Sequence, residues 1–460
     1  MRHTMSKNVF LTALNAVLGT TLVAGLSLHG PAAAQDNRID TIRPDAPVLA
    51  KYGSLGVGVK TLTLTNPKQL DIVKSKAGEP MPTYDRPLTV EVWYPGKTLE
   101  APTTNIPAPA TGQYRTFIRD GKTETLLSGK ATRDAAPDAS GAPYPLVIIS
   151  HGYPGNRFLL SHLAENLASK GYVVASIDHT DSTYNDQATF GSTLLNRPLD
   201  QLFVLNEMAR LNASDPDSTP ATLKGLVNAN NTALIGYSMG GYGVVNAIGG
   251  GFTAGSVAST LAPPNGVLAT RQAGNAAHSA TIDSRIKAAV AFAPWGWNRG
   301  FWDAQGLSAI KTPVFYVAGS VDDVSGYSPG IRNIYEGSVN AQRYLLTFEN
   351  ANHNAGAPIP APKEAMNPPA GVTTNPGNHY IDAVWDNTRM NNISQHFTTA
   401  FLAKFLKNDT SMDAYLNVLE NAKDGKWSAE ADGKFKADHT YWNGFPNRTA
   451  TGLRLEQRKP

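Results

Sequence analysis

Residues 232–241 read Thr-Ala-Leu-Ile-Gly-Tyr-Ser-Met-Gly-Gly, an apolar run leading directly into Gly-x-Ser-x-Gly. The pattern predicts a nucleophile elbow, a strand-to-helix turn so tight that the serine is strained and its Oγ is lifted above the sheet. Gly236 and Gly240 flank it because side chains there would collide with the neighbouring strand and helix. The small-residue segment Tyr242–Ile248 reads as the helix whose N-terminus points at the serine. Ser238 is therefore the candidate nucleophile. The competing reading is a glycine-rich turn in some other α/β fold.

The strands around this turn follow from hydrophobic patterning. Val57–Leu64 alternates with period two, and Leu88–Tyr94, ended by Pro95-Gly96, reads as its neighbour. Pro145–Ser150 and Tyr172–Asp178 are continuous apolar runs, the mark of strands buried on both faces. A helix from about Leu159 to Ser169 lies between them, and Pro198–Leu211 reads as a helix leading to the elbow strand. Ile286–Phe292, Val314–Ala318 and Arg343–Phe348 continue the series. A closing helix lies within Ile381–Leu406, where Phe397, Phe401 and Phe405 recur at spacing four. Strands alternating with helices imply a mostly parallel sheet covered on both faces. Three Gly/Pro-rich stretches, near 97–143, 249–281 and 354–378, read as insertions, the last two placed as caps over a site. The first carries only a short hairpin signal around Gly121.

Composition narrows the setting. Arg2, His3 and Lys7 precede an apolar stretch from about Val9 to Leu28, and Pro31-Ala32-Ala33-Ala34 offers a cleavage site, so 1–34 reads as a signal peptide. The polar and glycine residues inside that stretch make it a weak membrane span, which predicts an exported, periplasmic or secreted protein without a stable anchor. The expected mature unit, 35–460, is a single catalytic domain with a C-terminal extension after about 410. There is no cysteine, which rules out disulfides and thiolate metal sites. The net charge of +3 is mixed along the chain and leaves no nucleic-acid footprint.

A serine hydroxyl needs a base, and the base needs an orienting acid. In the elbow fold these follow in the order Ser, Asp or Glu, His. After the strand 314–318 comes Gly319-Ser320-Val321-Asp322-Asp323, at the carboxyl end where open α/β sheets place their sites. Asp322 is the candidate acid and Asp323 the runner-up. After the next strand, the small-residue loop Glu349–Asn354 carries His353, the candidate base. His379, His396 and His439 lie in a loop, a helix and the tail, while His162 and His179 precede the serine. Two backbone N–H groups should hold the oxyanion: Met239, after the nucleophile, and Tyr153, in the loop after strand 145–150. His151 in that loop is expected to shape the turn rather than act as base. Trp295 and Trp297, at the end of strand 286–292, are candidate substrate-binding residues, or else core plugs beneath the caps. No metal or cofactor is required, since no EF-hand, His-x-x-x-His or His-Glu spacing occurs.

The segments Val92-Trp93-Tyr94-Pro95, Ser150–Gly155 and Gly236–Gly241 resemble the α/β-hydrolase superfamily. More narrowly, they are similar to the bacterial group labelled predicted dienelactone hydrolases, itself similar to platelet-activating-factor acetylhydrolases and polyester-degrading hydrolases. The similarity spans about residues 50–410. It implies an α/β-hydrolase fold with an eight-stranded, mostly parallel sheet and ester hydrolysis through an acyl-enzyme. True dienelactone hydrolases use a cysteine nucleophile, which this chain lacks, so that label does not carry a substrate. The expectation is a secreted serine esterase acting on small or medium esters, aromatic or polyester-derived ones included. A peptidase or amidase with the same triad, and a non-catalytic binding member of the fold, are the alternatives.

Overall fold

The computed structural model describes residues 37–97, 111–216, 221–367 and 375–460. The expected signal peptide lies outside the described residues. The described strands are β1 (Asn37–Arg38), β2 (Gly56–Leu70), β3 (Thr83–Gly96), β4 (Thr111–Phe117), β5 (Glu124–Arg133) and β6 (Tyr144–Ser150). They continue with β7 (Val173–Asp178), β8 (Val227–Tyr237), β9 (Ile286–Phe292), β10 (Val314–Gly319), β11 (Arg343–Phe348) and β12 (Leu453–Arg458).

All of them join one twelve-stranded sheet in the order β1-β5-β2-β3-β7-β6-β8-β9-β10-β11-β12, with β4 hung on β5. The contiguous pairs from β7 through β6, β8, β9 and β10 to β11 are parallel, while β2–β3, β3–β7, β4–β5 and β11–β12 are antiparallel. The sheet is mostly parallel, as expected, but larger than the eight strands the resemblance implies. A run of eight, β2-β3-β7-β6-β8-β9-β10-β11, occupies its middle, and the added strands widen both edges.

The central strands form where the sequence is apolar without interruption. Val147, Ile148 and Ile149 of β6 and Ala233, Leu234 and Ile235 of β8 have no exposure, because both faces of the sheet are covered. Helix α1 (Ser161–Ala168) packs with the closing helix Asn387–Leu406, and α2 (Phe190–Ser214) packs with α3 (Met239–Ala247). Strand β8 meets α2, α3 and the closing helix, so the serine-bearing turn is gripped from both layers. Helix α2 starts eight residues before Pro198, which therefore lies inside it rather than at its first turn. Burial of Gly191–Arg197 against the fold sustains those turns ahead of the proline. No described helix is long and apolar enough to cross a membrane.

Two regions expected to lie outside the sheet are built into it. The stretch read as a surface excursion holds the β4–β5 hairpin, turned at Gly121. Its anchor is Glu165 of α1, a buried carboxylate that accepts from the Tyr114 hydroxyl and from the N–H groups of Lys130 (2.8 Å) and Ala131 (3.2 Å). The C-terminal extension supplies β12, with Leu455 opposite Leu346 and both buried. The 249–281 insertion folds as short helical turns that bury Phe252 and Leu268.

Candidate active site

Ser238 sits between the last residue of β8 and the first of α3 with φ 55° and ψ −112°. A positive φ is costly for a residue with a side chain and persists only where the surroundings enforce it. Here the Ser238 N–H donates to Phe292 O (2.9 Å), while its own carbonyl accepts from Tyr242 (2.9 Å) and Trp295 (3.1 Å). The flanking glycines are sterically required. A Cβ at Gly236 would collide with the carbonyl oxygen of Gly240, and one at Gly240 with that of Ser150.

Asp322 and His353 come from the loops after β10 and β11, the neighbouring parallel strands on one side of β8. His353 Nδ1 lies 2.8 Å from Asp322 Oδ2. With Nδ1 donating to a carboxylate, Nε2 of the neutral ring is left as an acceptor. The other Asp322 oxygen accepts from the N–H groups of Val324 (2.9 Å) and Ser325 (2.7 Å). Burial works to raise the Asp322 carboxyl, but His353 and these two N–H groups outweigh it and hold it below its ordinary value. Asp323 is exposed and has no bond to His353. The Tyr237 ring lies 5.2 Å from His353, and its hydroxyl donates to Asn354 Oδ1 (3.0 Å). Asn354 in turn donates to Ile381 O (2.6 Å) and Asn378 O (2.9 Å), which ties the histidine loop to the turn at 375–381.

Ser238 and His353 line one cleft of about 750 Å³ together with Gly152, Tyr153 and Asp323. Gly152 lies against the serine, since a Cβ there would stand 3.4 Å from Ser238 Cβ. Among the described residues no protein acceptor takes the N–H of Tyr153 or of Met239. The loop carrying Tyr153 is held from beneath by a buried polar network. His151 Nδ1 bonds Gly152 O (2.7 Å), and His151 Nε2 accepts the His179 N–H (3.3 Å). Arg197 donates to the carbonyl of His151 and to the Ser182 hydroxyl. Ser150, the residue before His151, bonds His179 Nε2 (2.8 Å), and His179 Nδ1 bonds Asp200 (2.9 Å). Asp200 is held by a two-pronged ion pair from Arg86 at 2.9 and 3.0 Å. Burial pushes His179 down to about 3, while Arg86 overcomes the burial of Asp200 and lowers it to about 2, so the histidine is neutral and the aspartate ionised at neutral pH.

Trp295 and Trp297 are not among the residues lining the cleft. Trp295 packs against Phe190 (centroids 5.4 Å apart) and Phe301 (5.3 Å), and Phe190 in turn contacts Tyr153 (5.1 Å). None of residues 249–281 lines the cleft; its outer walls come from Arg119 and Asp120 of the β4–β5 turn and from Asn375, Asn378 and His379. The 354–378 stretch, expected over the site, does supply Asn375 and Asn378, whereas the wall from Arg119 and Asp120 was missed in the sequence. The Asp120-Gly121 pair between two β-prone runs was the available signal for the turn, but nothing in it indicates that the turn reaches the serine. His396 and His162 are buried in helices away from the cleft.

The family described as "Platelet-activating factor acetylhydrolase, isoform II" matches residues 117–198, from the β4–β5 turn through the Tyr153 loop into α2. Cutinase 2 of Thermobifida cellulosilytica is 23% identical over 213 residues, covering 46% of this chain and 61% of that one. Platelet-activating factor acetylhydrolase of Bos taurus is 29% identical over 167 residues, covering 28% of this chain and 38% of that one. The chain thus spans between 50% and 61% of the length of the first cutinases it matches. A ferulic acid esterase structure from Streptomyces cinnamoneus superposes with a TM-score of 0.49 at 19% identity, covering 80% of this chain and 96% of that one. With a strand-elbow-helix unit at the centre of a mostly parallel sheet, the chain has an α/β-hydrolase fold, and its sequence is similar to platelet-activating factor acetylhydrolases and cutinases.

Proposed function

We propose that this chain is a serine hydrolase cleaving carboxylic esters. Ser238 Oγ attacks the ester carbonyl while His353 Nε2 takes its proton. Asp322 holds the ring in the required tautomer and stabilises the imidazolium. The Met239 and Tyr153 N–H groups receive the oxyanion. Collapse expels the alcohol, protonated by His353, and leaves an acyl-serine that water cleaves by the same steps in reverse order of roles. The observation that carries this reading is the buried Asp322–His353 pair at 2.8 Å, opening on the same cleft as a serine held at positive φ. The names of the cutinase and acetylhydrolase relatives, both ester-cleaving, support it.

The cleft size favours small or medium esters over long-chain triglycerides. An aromatic acyl group would meet Tyr153 and Tyr237 in the cleft wall, with Trp295 one ring further back. The 1–34 segment supports export, which N-terminal sequencing of the mature protein checks; the expected first residue is Gln35.

The test of the reaction is labelling of purified protein by a fluorophosphonate, with the modified peptide mapped, alongside turnover of chromogenic esters and the matching anilides. Label on Ser238 with ester turnover far above anilide turnover is expected. Anilide turnover at least as fast would turn the reading to an amidase, and absence of label would leave a binding protein.

A further inference from the structure

The proposed ester cleavage makes no use of the cation standing in the cleft. Arg119 lies in the β4–β5 turn and lines the cleft that holds Ser238 and His353. Its Nη1 donates to Pro154 O at 2.7 Å, and among the described residues it pairs with no carboxylate. The turn that presents it is well fixed. Ile118 before it has no exposure, and Gly121 after it has φ 68°, where a Cβ would collide with the carbonyl of Tyr184.

Two carboxylates also border the cleft, and their positions set the direction of its field. Asp120 is folded back on its own turn: one oxygen accepts from the N–H groups of Lys122 (2.9 Å) and Thr123 (2.8 Å), the other from the Thr123 hydroxyl (2.6 Å). Asp323 enters from the loop after β10, across β8 from the strands that carry Arg119. His379, on the same wall, does not add to the positive charge, since burial, aided by Arg119, holds its ring neutral. Its Nε2 is buried without a hydrogen-bond partner, a second polar group left open beside the cation. At the hairpin, then, the Asp120 carboxylate is turned onto Lys122 and Thr123 while the Arg119 guanidinium is left to face the cleft, and the β10 loop opposite presents the Asp323 carboxylate.

We propose that Arg119 selects ester substrates that carry an anionic group, and that the group is a carboxylate: half-esters of dicarboxylic acids, or esters of hydroxy acids whose acid is free. A guanidinium with donors free of protein carboxylates matches the two oxygens of such a group. The reaction stays ester plus water to acid plus alcohol, and the second carboxylate is a spectator held at the hairpin wall. This rests on the ester-hydrolase reading of the site.

Two matched substrate pairs test it and locate the anion. One is mono-p-nitrophenyl adipate against p-nitrophenyl hexanoate, with the charge on the acyl side. The other is 4-carboxyphenyl butyrate against phenyl butyrate, with the charge on the alcohol side. The quantity read is the ratio of kcat/KM for the anionic over the neutral member. In at least one pair Arg119→Gln should lower that ratio about 10- to 100-fold, through KM, the range for a charge-assisted hydrogen bond. Arg119→Lys should restore part of it. In the unaltered protein the same ratio should fall as salt is raised. A ratio that neither substitution nor salt moves in either pair overturns the proposal while leaving the esterase standing. Failure of the unaltered protein to hydrolyse all four esters, with no fluorophosphonate label on Ser238, overturns the ester reading and the proposal with it.

Discussion

Among the described residues, the proposed Ser238, His353 and Asp322 can be compared with a second serine–histidine–aspartate grouping that does not line the cleft. In the first, Ser238 is held at positive φ at the head of α3 and lines the cleft with His353, while Asp322 is closed over by backbone N–H groups. In the second, Ser150, His179 and Asp200 are hydrogen-bonded in series, and none is more than 1% exposed. The second has the better-connected bonds and still offers no path for a substrate. Its carboxylate is engaged by Arg86, and its serine lies in regular β6. Residue identity and hydrogen bonding alone therefore do not make a nucleophile. Backbone strain at the serine, backbone N–H groups without a protein acceptor in the adjoining turns and an open cleft distinguish the first set, and these are the features on which the proposed chemistry rests. The buried set instead underpins the loop that carries Tyr153.

The sharpest way to break this comparison is to remove each serine. Ser238→Ala should cut kcat by several orders of magnitude in a folded protein. Ser150→Ala should keep kcat within about tenfold, since it loses only a hydrogen bond beneath the loop. Equal losses, measured by steady-state kinetics at matched concentrations of folded protein, would mean the buried set takes part in the chemistry.

Next come the carboxylates. Asp322→Asn should lower kcat by about 10³- to 10⁴-fold by disfavouring the tautomer with Nδ1–H, while Asp323→Asn should change it only a few-fold. A dead Asp323 variant beside an active Asp322 variant would show that His353 works with the other partner. Asp200→Asn should act on stability, by about 3 kcal/mol, because Arg86 loses its fully buried counter-charge and keeps only the partly buried Asp181 at 3.1 Å. Denaturant unfolding reads this directly, and an unchanged midpoint would make the Arg86–Asp200 pair dispensable.

The same buried set also sets a pH dependence. His179 is held near 3 in the fold against an ordinary histidine value in the unfolded chain, so between about pH 6.5 and 3 the unfolded chain binds its proton and the folded one does not. Stability therefore falls with acidification across that window. Replacing His179 by Gln should shrink the slope by about one proton, or about 1.4 kcal/mol per pH unit. A slope as steep as before would mean that His179 is charged in the fold.

How far the sequence reveals this arrangement depends on what stabilises each part. β6, β8 and the turn at Gly236–Gly240 are set by local pattern, since continuous apolar runs and obligatory glycines leave few alternatives. Order along the chain pointed to the loops that carry Asp322 and His353, because each follows a parallel strand at its carboxyl end, but left Asp323 as runner-up until the bond from His353 to Asp322 was seen. The hairpin at 111–133 was scarcely visible because its stability is tertiary. Tyr114 reaches Glu165, fifty-one residues away, and Gln113 and Arg115 on the other face are exposed, which breaks the apolar signal. Arg119, His379 and the buried Arg86–Asp200–His179–Ser150 series share the same difficulty, being brought together by the topology of the sheet. Trp295 was misplaced for a simpler reason: a strand end close to the serine does not say which way a side chain turns, and Phe190 lies between that indole and Tyr153.

β12 has a consequence for the integrity of the molecule. Leu453–Arg458 pair along the whole of β11, so these late residues occupy what would otherwise be an open row of backbone donors and acceptors on Arg343–Phe348. An uncapped row of that kind is a template for a strand from another molecule. Chains lacking β12 should therefore recruit one another into aggregates through β11, which light scattering of a chain cut before about residue 450 would show.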